Sequence, residues 1–376
     1  MIQLVAILAV LSLGVVFSII GAVKIKLAER LGIDDAKVGG LISTLMFTSI
    51  FVVLLIGPLV DAWGHKPFAI LGFLLCGAAI LMLGMARSYG AAVVACVLLG
   101  FGGMCVNTVG NTLLSMVLFD GQNAPAALNL GNMFFGLGAF LTPFLAIFLV
   151  NRIGLQKTIS IIAVIVLAGI LFSLPAVYPE LSPGGFSLGQ AFGLLGNPFV
   201  LVAALALFCY VGLEASMGGW ITTYLTSLGY TENRASGVLS AFWISVMVSR
   251  LVSSMVVNPS NGAMAITILA AVAAVSIFVM SSTKSSGMAG AAVVVTGLMF
   301  GPIFPSVVGV TFTNVMPELQ GSAFAIIFAI GLLGATILPA WMGMLSKGKS
   351  IQKSMVVAAV FAVLLTGVAI VMGQLA

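Results

Sequence analysis

The stretch 57-GPLVDAWGHKPFAILG-72 places Asp61, His65 and Lys66 within six residues, between two long and mostly uncharged runs. Such a cluster is conspicuous in this chain. Of its 376 residues 61% are hydrophobic and only 6% are charged, with a mean hydropathy of +1.28. A soluble domain carries about 25% charged residues, so this surface is built for lipid. Within a bilayer core every backbone polar group must be satisfied internally, which leaves helices or closed barrels. The apolar runs are roughly 20 to 30 residues long and do not alternate, so they are read as helices.

Working outward from that loop, charge clusters and Pro/Gly/Asn turns divide the chain into twelve predicted spans. They are 3–24, 38–60, 67–87, 91–117, 125–151, 157–178, 197–226, 234–257, 263–282, 287–314, 321–346 and 351–373. The first is read as a span and not a signal peptide, because it lacks a positive n-region and runs on without a cleavage site. The longest break, 179–196, is the expected linker between an N-terminal six-helix bundle (1–178) and a C-terminal one (197–376). Two matches relate the halves: 138-GAFLTP-143 with 334-GATILP-339, and the glycine-rich starts of the fourth and tenth spans. Paired bundles with a site between related halves are an architecture of secondary transporters. Cys76, Cys96, Cys105 and Cys209 all fall in apolar runs without metal-type spacing and are read as packing residues.

The opening stretch resembles the G-x-L-x-D-x-x-G-x-[KR] signature of the major facilitator superfamily, with Gly57, Asp61, Gly64 and Lys66 at the matching positions. It departs at Ala62, where the family usually has Arg, and at His65, beside the basic Lys66. The resemblance implies that Asp61 pairs with basic groups and a neighbouring helix end, holding one conformation until transport breaks the contact. The other reading is a solvated loop charge. A narrower resemblance, to the fucose–proton symporter branch, rests on 209-CYVGLEASMGGWITTYL-225, 241-AFWISVMVSR-250, 128-LNLGNMFFGLGA-139 and 301-GPIFPS-306. It implies uptake of hexoses or deoxyhexoses, with protons, sodium or no ion. The two acidic positions of that branch's fucose transporters align near Gly21 and Asn107, so both carboxylates of that proton-coupling route are missing.

Glu214 lies mid-span, where a charge costs at least ~2.5–3.5 kcal/mol on insertion scales and normally faces a cavity or a partner. Tyr210 and Gly218, four residues to either side, share its helical face. It reads either as a ligand for sugar hydroxyls and the proton-coupling candidate, or as a structural carboxylate. Arg250 reads as an anion ligand, as a partner of Glu214, or, the favoured choice, as a gating residue near the cytoplasmic end. Lys24, closing the first span, reads as a snorkelling cation or an outer-funnel group. The uncharged polar set suits a sugar: Asn107 and Asn111 at i, i+4, Asn129 and Asn132 at i, i+3, and Trp220, Trp243, Thr222 and Thr223. The alternative is interhelical bonding worth ~0.6–2 kcal/mol each. Gln190 completes the candidate set, although it falls near the linker.

The positive-inside rule conflicts with the family orientation. With both termini cytoplasmic, Lys24, Lys26, Arg30, Lys37, Arg87, Arg152, Lys157, Arg234, Lys284, Lys347, Lys349 and Lys353 all reach the outer face. The Asp61 loop is the more specific signal, so the family orientation is retained. The expectation is therefore an all-α, twelve-helix major facilitator bundle, a multi-pass protein of the bacterial inner membrane. It would move a small polar solute, a monosaccharide first, by alternating access, with H+ or Na+ as coupling partner, as a monomer. The competing readings are an organic-anion carrier using Lys24, Arg250 and the basic rim, and a non-transporting receptor or scaffold. No catalytic constellation, metal cluster, cofactor motif or nucleic-acid signature is read in the sequence.

Overall fold

The computed structural model describes residues 1–180, 187–346 and 351–376. Its helices are α1 (Ile2–Leu31), α2 (Asp35–Trp63), α3 (His65–Met85), α4 (Tyr89–Val117), α5 (Ala124–Ile153), α6 (Leu155–Ser173), α7 (Leu188–Gly193), α8 (Pro198–Ser227), α9 (Glu232–Val256), α10 (Gly262–Ser282), α11 (Ser286–Phe300), α12 (Ile303–Thr313), α13 (Gln320–Ser346) and α14 (Ile351–Leu375). Counting α11 and α12 as one, twelve of these stretches are long and apolar enough to cross a membrane. This is a multi-pass integral membrane protein.

Local chemistry sets where the helices start and turn. Asp34 caps α2 by accepting from Lys37 N at 2.9 Å, and Asn197 caps α8 by accepting from Phe199 N at 2.9 Å, just before Pro198 at the first helical position. The chain reverses between α2 and α3 through one residue, Gly64, at φ 79°. A side chain there would be strained, so the signature glycine is required by the turn.

Three expected features differ. The first span runs on to Leu31 instead of ending at 24. The sixth span ends at Ser173 instead of 178. The tenth is broken into α11 and α12 at Gly301–Pro302, because Pro302 and Pro305 both lack the N–H that a continuous helix needs. Part of the expected linker, 181–186, lies outside the described residues, as do Lys347 and Lys349.

The chain forms two compact units. Unit 1 comprises Met1–Gln122, Phe134–Ala191 and Pro317–Ala325; unit 2 comprises Asn123–Met133, Phe192–Met316 and Ile326–Ala376. The internal repeat has a physical counterpart in each. In unit 1 a Cβ on Gly138 of α5 would collide with the Leu11 carbonyl of α1, and one on Gly14 with the Phe135 carbonyl. In unit 2 a Cβ on Gly334 of α13 would collide with the Phe208 carbonyl of α8, and one on Gly212 with the Gly334 carbonyl. The same glycine of the repeated motif thus allows the same backbone-to-backbone approach twice, as small residues do where membrane helices meet.

Candidate functional site

Unit 2 contains a buried ion pair. Arg250 on α9 and Glu214 on α8 approach to 3.5 Å (Nη2 to Oε1), with side-chain exposures of 3% and 18%. Arg250 also donates from Nε to the Gly301 carbonyl at 2.8 Å and from Nη1 to the Asn132 carbonyl at 2.9 Å. The first of these acceptors follows from the sequence. A helical carbonyl at 301 would take the N–H of residue 305, but residue 305 is proline, so the oxygen is orphaned and the guanidinium takes it. One side chain therefore ties α9 to α8, to α5 and to the α11–α12 break.

Tyr210 Oη donates to Glu214 Oε1 at 2.9 Å. Both contacts to the carboxylate fall on Oε1, which leaves Oε2 without a hydrogen bond among the described residues. Tyr210 packs edge-on to Phe300 with ring centroids 5.6 Å apart, and Phe242 stands edge-on to Trp243 at 5.1 Å. The indole of Trp243 covers Gly218, where an added Cβ would sit 3.0 Å from Cζ2. Gly218 is one turn beyond Glu214 on the same face of α8, so the partly exposed indole packs on α8 one turn from the carboxylate's position.

Asn129 and Asn132 join the same unit. Asn129 Nδ2 donates to the Pro125 carbonyl at 2.8 Å and to Ser306 Oγ at 3.1 Å, while its fully buried Oδ1 has no partner among the described residues. Asn132 meets Arg250 through its backbone carbonyl, and its amide bonds the Leu128 carbonyl at 3.0 Å.

The other candidates make contacts of their own. Asn107 and Asn111 are buried on α4 in unit 1, where Asn111 Nδ2 donates to Asn107 Oδ1 at 2.8 Å. Trp220 gives its indole N–H to the Pro339 carbonyl at 3.3 Å, linking α8 to α13. Gln190 is exposed on the short helix α7, and Lys24 is exposed within α1, about two turns before its end at Leu31. Arg250, read from sequence as a gating group, has Glu214 as its charge partner, because the orphaned Gly301 carbonyl and the Asn132 carbonyl hold it beside α8.

Asp61 makes the contact expected with a helix end. In unit 1 it accepts from Gly321 N at 2.8 Å (Oδ1), and from Ser322 N at 2.7 Å and Ser322 Oγ at 2.6 Å (Oδ2). A carboxylate here satisfies orphan N–H groups at the start of α13 and faces the positive end of its dipole. A Cβ on Gly57 would collide with the Gly321 carbonyl, so that signature glycine permits the approach. Among the described residues no basic partner joins the contact: Lys66 is exposed, and His65 is buried with Nε2 3.0 Å from Thr112 Oγ1.

The model of the Major Facilitator Superfamily matches residues 5–339. The chain belongs to this superfamily. Among solved structures, the Escherichia coli fucose:proton symporter FucP superposes with a TM-score of 0.80 at 17% identity, covering 99% of both chains. FucP in its outward conformation gives 0.82 at the same identity and coverage. The human organic anion transporter MFSD10 gives 0.74 at 14% identity, covering 98% of both chains. At these identities the superpositions establish the major facilitator fold. Protein TsgA of Escherichia coli and of Shigella strains is 24% identical over 254 residues, a match that spans 65% of this chain and 63% of TsgA.

The residues that sequence reasoning missed are mainly backbone groups. Ser322 and Gly321 receive Asp61, and Gly301 receives Arg250. The second had a signal, since a proline four residues beyond a glycine orphans its carbonyl. Ser306, beside Asn129, had none.

Proposed function

We propose that this major facilitator protein is a transporter for a small neutral polyhydroxylated solute, a monosaccharide first. Helices α1–α6 (within 1–178) and α8–α14 (within 197–376) would serve as its two bundles in alternating access. The observation that carries the reading is the Glu214 carboxylate with Oε2 uncommitted, on the face of α8 where the Trp243 indole packs one turn further on at Gly218. A charged acceptor takes hydroxyl hydrogens strongly, and an indole face suits the C–H side of a sugar ring. Asn129 Oδ1 adds a second buried acceptor for a hydroxyl.

The organic-anion alternative is weaker, because Arg250 is already neutralised by Glu214 and fixed by two carbonyls. Proton coupling is assigned to Glu214, whose protonation must displace Arg250. Asp61 serves as the gate that releases α13. The setting proposed is the inner membrane of a bacterium, with the protein as a monomer.

Equilibrium binding of a labelled hexose to purified protein in nanodiscs, competed with neutral hexoses and with organic monocarboxylates, tests the reading. Neutral sugars should compete and the anions should not. Glu214→Gln should weaken binding about tenfold or more, the worth of a hydrogen bond to a charged group. Competition by anions alone would replace the sugar with an anionic substrate.

A further inference from the structure

The end of unit 1 opposite the Asp61 loop concentrates charge. There α1 finishes, α2 begins, α3 finishes, α4 begins, and α5 turns into α6 through Gly154. The short connections bring seven basic residues, Lys24, Lys26, Arg30, Lys37, Arg87, Arg152 and Lys157, to this end, against three acidic ones. The acidic groups are partly committed: Glu29 pairs with Lys26 at 2.8 Å, and Asp34 caps α2. Asp35 adds to the favourable first turn of α2.

Three of the basic groups surround the C-terminus of α3. Arg30 donates to the Gly84 carbonyl. Ile159 of α6 packs where a Gly84 side chain would be, which brings Lys157 to the same end. Arg87 follows α3 directly. Below Arg87 lies a groove of about 540 Å³, lined by Ala78, Leu81, Met82, Met85, Ala91 and Arg87 itself. Its walls are aliphatic and thioether side chains from α3 and α4, and Met85 is exposed.

We propose that this groove is a binding site for an anionic phospholipid, with an acyl chain along the α3–α4 walls and the phosphate against Arg87, at the basic end of unit 1. The site combines an apolar slot in a membrane-spanning segment with a cation, Arg87, in its lining, the two halves of a phospholipid's chemistry. It does not depend on the substrate assigned to unit 2. A soluble anion would use the cations but leave the groove idle, so the two sources separate experimentally.

The test is native mass spectrometry of the whole protein, released from micelles containing equal amounts of phosphatidylglycerol and phosphatidylcholine. Wild type should retain phosphatidylglycerol preferentially. Removing one cation near the phosphate should lower that preference about fivefold, so Arg87→Gln, at an exposed position, should show that loss while remaining folded. Ala91→Leu, which fills the groove and leaves every charge, should also lose the lipid. Equal retention of the two lipids by wild type, an unchanged preference in Arg87→Gln, or full displacement by millimolar inorganic phosphate would each overturn the proposal.

Discussion

Replacing Arg250 with methionine keeps much of the side chain's volume and removes its charge and donors. Glu214 is then left as a carboxylate at 18% exposure with only Tyr210 as donor, and the Gly301 carbonyl is orphaned because Pro305 has no N–H. Breaking a buried pair from one side costs about 3–5 kcal/mol. The partial exposure of Glu214 argues for the low end of that range, and the unsatisfied Gly301 carbonyl adds about 1–3 kcal/mol. The Asn132 carbonyl keeps its own helical N–H, so its loss is smaller. The sum is about 4–6 kcal/mol, a fall in melting temperature on the order of 10 °C. The double variant Arg250→Met/Glu214→Gln removes the stranded charge and leaves mainly the carbonyl, so it should recover about 2 kcal/mol of the loss. Thermal unfolding in detergent, followed by tryptophan fluorescence, reads both. An Arg250→Met protein within 1 kcal/mol of wild type would refute the reasoning, as would a double variant no more stable than the single one.

Three further outcomes follow from the same geometry. Pro305→Ala restores an N–H to compete with Arg250 Nε for the Gly301 carbonyl; hydrogen exchange at the α11–α12 break should slow, and protection equal to wild type would contradict the orphaned-carbonyl account. Gly57→Val forces a side chain against the Gly321 carbonyl and Ala325 Cβ, so it should lower transport at least tenfold by holding the start of α13 off Asp61, with uptake assays as the check. Trp243→Ala should weaken hexose affinity by about 0.5–1.5 kcal/mol, the range of an aromatic contact, while Trp220→Ala, whose indole bonds Pro339, should chiefly lower thermal stability.

The span pattern was legible because lipid imposes it: a helix must cross about 30 Å of hydrocarbon with its backbone satisfied, so length and hydropathy locate it. Most predicted boundaries fall within a few residues of the observed helices, from α4 (91–117 against Tyr89–Val117) to α10 (263–282 against Gly262–Ser282). The break at Gly301–Pro302 was visible as residues but not as consequence. Hydropathy does not register a missing N–H, and its effect depends on an arginine 51 positions away. Glu214 and Tyr210 were paired correctly because four residues along a helix is a physical distance, and the structure has their side chains 2.9 Å apart. For Arg250 the sequence left three readings open, because periodicity assigns a face and a depth but does not choose between partners; the structure has the pair with Glu214 at 3.5 Å. Asp61 lies between these cases. Its helix-end partner followed from the family signature, while the serine that receives it, Ser322, is 261 residues away and carries no local mark.

The most direct test of the central claim is uptake of labelled hexose into proteoliposomes, with and without an imposed proton gradient, for wild type and Glu214→Gln. The account predicts accumulation by wild type only with the gradient, and at most slow equilibration by the variant. Accumulation by Glu214→Gln equal to wild type would remove Glu214 from the coupling role, and no hexose movement by wild type under either condition would contradict the sugar transporter itself.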